Sequence, residues 1–452
     1  MDGSRSELRR RPGGVATIAF SRRRPPPAHG PSSSALRRPG RRTGETPSVT
    51  VEQIEVFVFK LAHHYKVAGT TDSPGQLPGT DYYREPQWKH AYSNGTETCL
   101  VKLTTDSGLV GWGESQAPLL PRVPAAVVTD LLGPAVLGRD PLKTAVLHDE
   151  LTHLMHARGH FGSFLYDAVA GIDTALWDLK GKILQQPICE LLGGSFRPTL
   201  RCYMSGLREP TLEGRVAAAK GALAQGYAGV KIFTGQALEK AGAEIEAVAD
   251  AIGSGPFLAV DLICGYALPA ALHLGRLLDA RRAAWLEAPL APQDVAGHAR
   301  LAESLATPIA VGEVLRSVAE FLPWFQQRAL GVAQPDVTRC GVTEAQRIAD
   351  LARAFDVPTA LHVGVCTGIG VAATWQVAAA LPDYLIQEHQ PKMLPAANRT
   401  LREPLVEKDG MLVVPAAPGL GVEVDEEAIR AHAEEHWVVT PNGKTLKQEN
   451  RS

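Results

Sequence analysis

Short apolar runs alternate with longer amphipathic stretches through the central part of the chain. Strands that alternate with helices in this way form a parallel sheet, either closed into a barrel or open and doubly wound. No glycine-rich phosphate loop follows any of the runs, which disfavours the doubly wound sheet. We therefore predict a (β/α) barrel over residues 196–390. Its eight strands are predicted at 200–204, 228–233, 257–261, 284–287, 309–313, 332–336, 359–362 and 384–388.

The residues that precede this barrel have a different pattern. Residues 51–61 alternate apolar and polar positions, as a half-buried strand does. Residues 98–103 and 108–112 resemble a hairpin, and from about 125 to 192 the periodicity becomes helical. We therefore predict an α+β domain over residues 49–195.

The strand–helix alternation ends after Pro391. The residues that follow are rich in proline and glycine around 415–421, which is typical of loop and short strand. We expect residues 391–440 to fold back on the first domain, and residues 441–452 to form a tail.

Charge divides the chain into two unlike parts. Residues 1–42 contain eleven arginines and two acids, whereas the remainder has 35 basic and 46 acidic residues. Residues 1–48 lack apolar periodicity and are predicted to be a disordered leader. An organelle transit peptide, an arginine arm for nucleic acid and an upstream extension without function remain open for it. The acidic body is a poor candidate for nucleic-acid binding.

The six cysteines are scattered without a Cys-x-x-Cys pair, which disfavours a zinc knuckle or a disulfide framework. This usage is typical of a reducing, cytoplasmic setting. No apolar stretch approaches the roughly 18 residues of a membrane-spanning helix, so we expect no membrane partner.

Ionisable residues stand at the ends of successive predicted strands. The carboxyl ends of barrel strands meet at one mouth, so these side chains are expected to face a common cavity. The spacing between neighbours is 23–30 residues, about one strand–helix unit each. The residues are Lys231, Asp261, Glu287, Glu313, Asp336, His362 and Glu388.

Three of these acids, Asp261, Glu287 and Glu313, predict a metal site. A single acid at a strand end is more often a helix cap or a surface ion-pair partner. Three carboxylates on neighbouring strands would repel one another unless a cation lies among them. A set of oxygen ligands suits Mg²⁺, with Mn²⁺ as an alternative, and does not suit zinc.

The next two strands end in Asp336 and His362, which predict a general base. A carboxylate beside an imidazole fixes its tautomer and raises its basicity. Lys231 is expected to steady an anion or to move a proton. A metal together with a base predicts removal of a proton from the carbon beside a substrate carboxylate.

These motifs resemble the mandelate racemase/muconate lactonizing enzyme family of the enolase superfamily over roughly residues 50–430. The resemblance implies a modified (β/α)7β barrel with an α+β capping domain, Mg²⁺ on the three acids and an enediolate intermediate. It also implies a homo-oligomer. Besides the strand-end residues, it rests on TTDSGLVGWGE (104–114), GIDTALWDLKGK (171–182), LLGG (191–194) and PGLG (418–421).

Within the family, the Asp336–His362 pair resembles the mandelate racemase-like subgroup. The segment YLIQEH (384–389) resembles acid-sugar dehydratases of the galactonate dehydratase type, in which Glu388 would hydrogen-bond the substrate carboxylate. Two positions depart from the family pattern: Phe233 replaces the second lysine of Lys-x-Lys, and Ile263 replaces a histidine of some aldonate dehydratases.

The departures favour dehydration of an acid sugar over racemisation, which needs an acid or base on each face of the substrate. A racemase or epimerase, a cycloisomerase, and a metal-binding barrel without catalysis remain as alternatives. We also expect residues 63–90, with Tyr65, Tyr82, Tyr83, Arg84 and Trp88, to close over a small-molecule carboxylate.

Overall fold

The computed structural model describes residues 49–62, 75–84, 90–93, 95–116 and 118–449. The predicted disordered leader, 1–48, lies outside the described residues. So do Tyr65 and Trp88 of the predicted closing segment.

Seventeen strands are present in the described part of the chain. They are β1 (Val51–Ala62), β2 (Gly75–Gln76), β3 (Tyr82–Arg84), β4 (Ala91–Ser93), β5 (Gly95–Thr105), β6 (Val110–Ser115), β7 (Thr199–Ser205), β8 (Gly229–Phe233), β9 (Phe257–Asp261), β10 (Trp285–Glu287), β11 (Ile309–Val311), β12 (Val332–Ala333), β13 (Gln387–His389), β14 (Glu407–Lys408), β15 (Met411–Val413), β16 (Ala433–Thr440) and β17 (Gly443–Glu449).

Fourteen α-helices accompany them within the same residues, with a π-helical turn at Val128–Leu132 and 3-10 turns at His156–Arg158 and Asn398–Thr400. The helices are α1 (Arg122–Val127), α2 (Gly133–Val136), α3 (Thr144–His153), α4 (Phe164–Leu184), α5 (Ile188–Leu191), α6 (Leu212–Ala224), α7 (Leu238–Ile252), α8 (Leu268–Arg281), α9 (Val295–Ser304), α10 (Val318–Gln326), α11 (Val337–Ala354), α12 (Gly368–Ala380), α13 (Leu394–Ala397) and α14 (Glu426–His432). None of these helices is long and apolar enough to span a membrane.

The capping domain is an antiparallel sheet in the order β17–β16–β1–β5–β6. The alternation in β1 places Ile54, Val56 and Val58 against the cap helices, whereas Phe57 and Phe59 face the larger core that includes the barrel. The C-terminal segment returns to this sheet, since β16 pairs with β1. We expected that return to end at 440, but it continues through β17, which pairs with β16 as far as Glu449.

The barrel closes through eight strand positions: the six strands β7 to β12, the bridged segment 359–362, and a last position at 384–389 that contains β13. Strands β7 to β12 are parallel neighbours in chain order, and β13 pairs with β7. The predicted strand at 359–362 is reduced to isolated parallel bridges, Ala333 with Thr359 and Asp336 with His362. Thr359 is also bridged to Tyr384, which leads into β13. A helix follows each of the first seven strand positions, so the predicted (β/α)7β barrel is confirmed.

One side chain from each of the eight strand positions fills the barrel interior. Tyr203 and Trp285 are the two largest, and their rings pack edge to face with centroids 5.5 Å apart. Small or aliphatic residues fill the other positions, as close packing of a barrel interior requires. The layer comprises Tyr203, Ala228, Ala259, Trp285, Ala310, Val332, Ala360 and Ile386.

The long cap helix α4 docks on barrel helix α11 through Asp173. The Asp173 carboxylate accepts hydrogen bonds from the backbone N–H (2.9 Å) and the hydroxyl (2.6 Å) of Thr343. Gly341 interrupts α11 with φ +82°, and a Cβ there would lie 2.7 Å from the Asp173 carboxylate. A glycine is therefore required where the two helices meet.

His148 of α3 lies buried in the same junction and predicts a pH dependence of stability. Its Nε2 lies 3.2 Å from Glu344 and its Nδ1 lies 3.5 Å from Asp173. Burial alone would lower the pKa of His148, but the carboxylates of Asp173 and Glu344 outweigh it and raise the pKa to about 9. Two cations are nearby: Arg347 lies 3.3 Å from Glu344, and Lys180 interacts electrostatically with Asp173.

A raised folded-state pKa means that the charged His148 stabilises the protein fully below its unfolded pKa of about 6.5. We expect that stabilisation to be lost as the pH rises through about 9. The melting temperature of the wild type, followed by circular dichroism from pH 6 to 9.5, should fall relative to that of His148→Gln. Parallel pH profiles for the two proteins would contradict this account.

Candidate active site

A cavity of about 370 Å³ lies at the carboxyl ends of the barrel strands. Five of the seven predicted strand-end residues line it: Lys231, Asp261, Glu313, His362 and Glu388. The other two lie one layer deeper: Glu287 is hydrogen-bonded to Lys231, and Asp336 is hydrogen-bonded to His362. The structure thus brings all seven residues together, as the equal spacing predicted.

The backbone turns sharply after the strands that carry the acids. Ile263 and Cys264 follow Asp261 with φ of +47° and +56°, and Ala288 follows Glu287 with φ +41°. Such left-handed geometry costs about 1–3 kcal/mol per non-glycine residue and is concentrated at functional sites. The Ile263 N–H donates to Asp261 Oδ1 at 2.7 Å, so the turn itself orients this carboxylate.

Lys231 holds two of the buried carboxylates. Its Nζ lies 2.5 Å from Glu287 Oε1 and 3.0 Å from Glu388 Oε1. Burial alone would lower the pKa of Lys231, but the Glu287 and Glu388 carboxylates outweigh it and keep the pKa well above its ordinary value. Ser205 and the Val363 N–H also donate to Glu388, at 2.6 and 3.1 Å. The lysine is therefore a permanent cation at the floor of the cavity.

Asp336 and His362 form the predicted pair. His362 Nδ1 lies 2.7 Å from Asp336 Oδ2, while Oδ1 accepts from the N–H (2.8 Å) and hydroxyl (2.5 Å) of Thr338 at the start of α11. Asp336 caps the helix and orients the imidazole at the same time. The other imidazole nitrogen, Nε2, faces the cavity and lies 2.8 Å from Glu313 Oε2.

The three predicted metal ligands are near one another but engaged with other groups. Glu287 is paired with Lys231, and its Oε2 accepts from Trp285 and Gln334 at 2.8 Å each. Glu313 is paired with His362. Across the described residues, no group of three or more histidine, cysteine, aspartate or glutamate side chains is arranged to hold a metal ion.

The chemistry of these donors nevertheless fits a divalent cation. Burial, reinforced by Glu287 and Glu313, raises the pKa of Asp261 well above its ordinary value. A buried carboxylate that is repelled by two others is stabilised by a positive charge, and carboxylate oxygens are the ligands that Mg²⁺ prefers. Asp261, Glu287 and Glu313 are therefore the residues that would hold it.

Several cavity residues were not predicted from the sequence. Arg339 donates to the Glu313 carbonyl and to the Gln116 side chain, both at 2.8 Å. Gln116 comes from the end of the cap strand β6, and Ser205 ends the first barrel strand. Ser205 could have been predicted as a site residue, because it is a polar residue directly after a predicted strand. No local sequence pattern predicts Gln116 as a site residue, since it reaches the cavity only through the docking of the cap.

The cap also contributes β4 to the cavity. His90, Tyr92 and Ser93 line it, whereas Tyr82, Tyr83 and Arg84 of the predicted closing segment do not. Tyr82 instead hydrogen-bonds Glu97 at 3.0 Å, and Tyr83 is buried beside Tyr92 with ring centroids 5.9 Å apart. Among the described residues of this part of the cap, the cavity lining begins at His90, the last residue of the predicted segment.

Loss of the Lys231 charge should destabilise the protein strongly. Lys231→Met would leave Glu287 and Glu388 buried without their cation, and such a change costs about 3–5 kcal/mol. Lys392→Met is the matched control, because its 2.6 Å pair with Glu209 is exposed and worth less than about 1 kcal/mol. Urea unfolding at pH 8 measures both free energies, and equal losses would contradict the role of Lys231.

Two family models match the chain. One is described as the mandelate racemase/muconate lactonizing enzyme N-terminal domain and matches residues 85–193. The other is described as enolase C-terminal domain-like and matches residues 214–428. The two matches fall on the capping domain and the barrel respectively.

Known proteins resemble the chain over most of its length. A D-galactarolactone cycloisomerase from Agrobacterium fabrum is 34% identical over 73% of this chain and 89% of its own. A D-galactonate dehydratase from Variovorax paradoxus is 32% identical over 75% of this chain and 92% of its own. The solved structure of an enolase superfamily member from Agrobacterium tumefaciens has a TM-score of 0.81 and 30% identity, and covers 84% of this chain and 98% of that one. The chain therefore belongs to the mandelate racemase/muconate lactonizing enzyme family of the enolase superfamily.

Proposed function

We propose that the protein is a Mg²⁺-dependent acid-sugar dehydratase that removes the proton α to a substrate carboxylate. The observation that carries this proposal is the Asp336–His362 pair, whose Nε2 opens on the same cavity as Asp261 and Glu313. A D-galactonate dehydratase at 32% identity supports the reaction class. When bound, Mg²⁺ would hold the substrate carboxylate and stabilise the negative charge that develops on it.

His362 is the group that moves the proton. Its Nδ1 is held by Asp336 at 2.7 Å, so Nε2 is the nitrogen that accepts the α-proton. The imidazolium that forms remains on the same side of the substrate and can protonate a departing β-hydroxyl there. The elimination is therefore expected to be syn, with His362 acting first as base and then as acid.

Lys231 and Glu388 act beside this pair. We predicted that Glu388 would hydrogen-bond the substrate carboxylate, which requires a proton on Glu388. Burial alone would raise the pKa of Glu388, but interactions led by that with Lys231 lower it, and the carboxylate pairs with Lys231 at 3.0 Å. We therefore assign Glu388 to the placement of Lys231, and Lys231 to the steadying of negative charge on the substrate.

Cycloisomerisation is the second candidate, because a D-galactarolactone cycloisomerase is 34% identical to the chain. Both reactions begin with removal of the α-proton, and they differ in the group that leaves. A racemase or epimerase is less favoured, since Phe233 replaces the second lysine on the far side of the site. A small-molecule carboxylate is the proposed partner, and assembly into a homo-oligomer remains a prediction.

Exchange of the α-proton with deuterated solvent tests the proposal. The purified protein is incubated with Mg²⁺ and a panel of aldonates and aldarates, and the products are identified by NMR. We expect a 2-keto-3-deoxy acid, and a rate about 10²–10⁴-fold lower for His362→Asn. His153→Asn, at an exposed histidine, is the matched control and should leave the rate unchanged.

The products also separate the alternatives. A cyclised or ring-opened acid would establish the cycloisomerase, and exchange with inversion would establish a racemase or epimerase. Absence of exchange on every acid would support a metal-binding barrel without catalysis and would overturn the dehydratase.

Mg²⁺ should raise the melting temperature of the protein by a few degrees, because a ligand that binds only the folded state stabilises it. Asp261→Asn should melt at or above the wild-type temperature without Mg²⁺, since it removes a repelled buried carboxylate, and should lose most of the Mg²⁺ response. Asp250→Asn, at a surface ion pair with Arg281, is the control that keeps the response. An equal Mg²⁺ response in all three proteins would contradict the assignment of Asp261.

A further inference from the structure

We propose that Tyr92, Phe233 and Ile263 form an apolar wall that makes the enzyme prefer deoxy sugar acids. The preferred substrate would lack a hydroxyl group at a carbon beyond the two that react, and that carbon would pack against the wall. This inference rests on the proposed function and deepens it by naming the substrate class.

The three side chains form one apolar cluster, separate from the larger cores of the protein. Ile263 is buried, and Tyr92 and Phe233 are partly buried against it. All three line the cavity. Phe233 comes from the end of β8, Ile263 follows β9, and Tyr92 comes from β4 of the cap. Barrel and cap thus contribute jointly to a single surface.

The wall lies across the barrel mouth from the base. The barrel is a ring of eight strand positions, in which Phe233 ends the second and Ile263 follows the third. Asp336 follows the sixth position and His362 lies on the seventh. Positions four apart in a ring of eight are opposite one another. A substrate that turns one face to His362 therefore turns the other face to Phe233 and Ile263.

The backbone of the wall is fixed in place rather than adaptable. The Ile263 N–H donates to Asp261 at 2.7 Å, and the Ile263 carbonyl accepts from His90 Nε2 at 3.0 Å. The next residue, Cys264, donates its N–H to the Ala288 carbonyl at 2.7 Å. Ile263 has φ +47°, a conformation that a β-branched residue adopts only when its surroundings impose it. The Ile263 side chain has no polar group to offer to a hydroxyl, and its fixed backbone cannot move it aside.

Polar residues line other parts of the cavity: Ser205 and Lys231 lie on the first two strand positions beside the wall, and Arg339 and His362 lie across from it. A fully hydroxylated sugar acid has a hydroxyl on each carbon beyond the carboxylate. A hydroxyl placed against Phe233 or Ile263 loses its hydrogen bonds to water without replacement. A methylene or methyl group loses nothing there and gains contact with the aromatic ring. Such an apolar surface is expected to favour the deoxy acid over its hydroxylated parent by about 10- to 100-fold in kcat/KM.

Matched pairs of substrates test the inference. Hexonates are compared with their 4-deoxy, 5-deoxy and 6-deoxy counterparts, first as kcat/KM for the wild type and then as dissociation constants for His362→Asn by calorimetry. We expect at least one deoxy acid to be favoured about 10-fold or more over its parent in both measurements. Ile263→Asn and Phe233→Gln should bring that ratio close to one, because each gives the wall a polar group.

The controls match the wall residues in chemistry but lie outside the cavity. Phe161→Gln changes an exposed phenylalanine, 62% accessible, and Leu120→Asn changes an exposed leucine with φ +60°. Asparagine tolerates a positive φ, so Ile263→Asn and Leu120→Asn are expected to fold. Both controls should keep the wild-type preference.

The outcomes distinguish this inference from the proposed function. Turnover of sugar acids without any preference for a deoxy acid, or a preference that the wall variants retain, would overturn the wall and leave the dehydratase standing. Preferential binding of a deoxy acid without α-proton exchange on any acid would overturn the dehydratase and support the wall. Absence of both exchange and preference would overturn both.

Discussion

The site depends on the balance of charge at the buried ends of the barrel strands. Of the seven strand-end residues, five are acids and two are bases. Lys231 neutralises much of the negative charge of Glu287 and Glu388. The imidazole of His362 lies between the carboxylates of Glu313 and Asp336 and contacts both. Asp261 is left with two repelling neighbours and one oxygen bound by a backbone N–H. A divalent cation is the component that would complete this balance, and it would compete with Lys231 and His362 for the same carboxylates.

The rest of the barrel holds this charged layer above a packed apolar one. Tyr203 and Trp285 fill the interior beneath the site, and the Trp285 indole N–H donates to Glu287 at 2.8 Å. The packed layer therefore also positions a carboxylate. The cap completes the site from the other side, because Gln116 joins Arg339 and Asp173 fixes the kink of α11 near Asp336. Stability of the cap–barrel junction and placement of the base are thus linked through one helix.

The sequence predicted most of the barrel and the whole row of strand-end residues, because one strand–helix unit repeats at a nearly constant length. The bounds were less accurate where pairing is sparse. Residues 359–362 were predicted as a strand, yet they pair only through isolated bridges at Thr359 and His362. Gln116 and Tyr92 could not be predicted as site residues, since their positions depend on where the cap docks and not on any periodicity of their own. The sequence predicted the Asp336–His362 pair, but the pairing of Lys231 with Glu287 and Glu388, and of His362 with Glu313, depends on distances that only the structure gives.

The two departures from the family pattern take on a different meaning in three dimensions. In the sequence, Phe233 and Ile263 are thirty residues apart and look like independent losses of a lysine and a histidine. In the structure Phe233 and Tyr92 both pack against Ile263 at one side of the cavity. A lone lysine beside Ile263, or a lone histidine beside Phe233, would be a charged or polar group against an apolar neighbour, which is costly in a buried site. An apolar residue at one of these two positions therefore favours an apolar residue at the other. Under the proposed function, the two side chains that leave this face without an acid or base from these positions also give it an apolar surface.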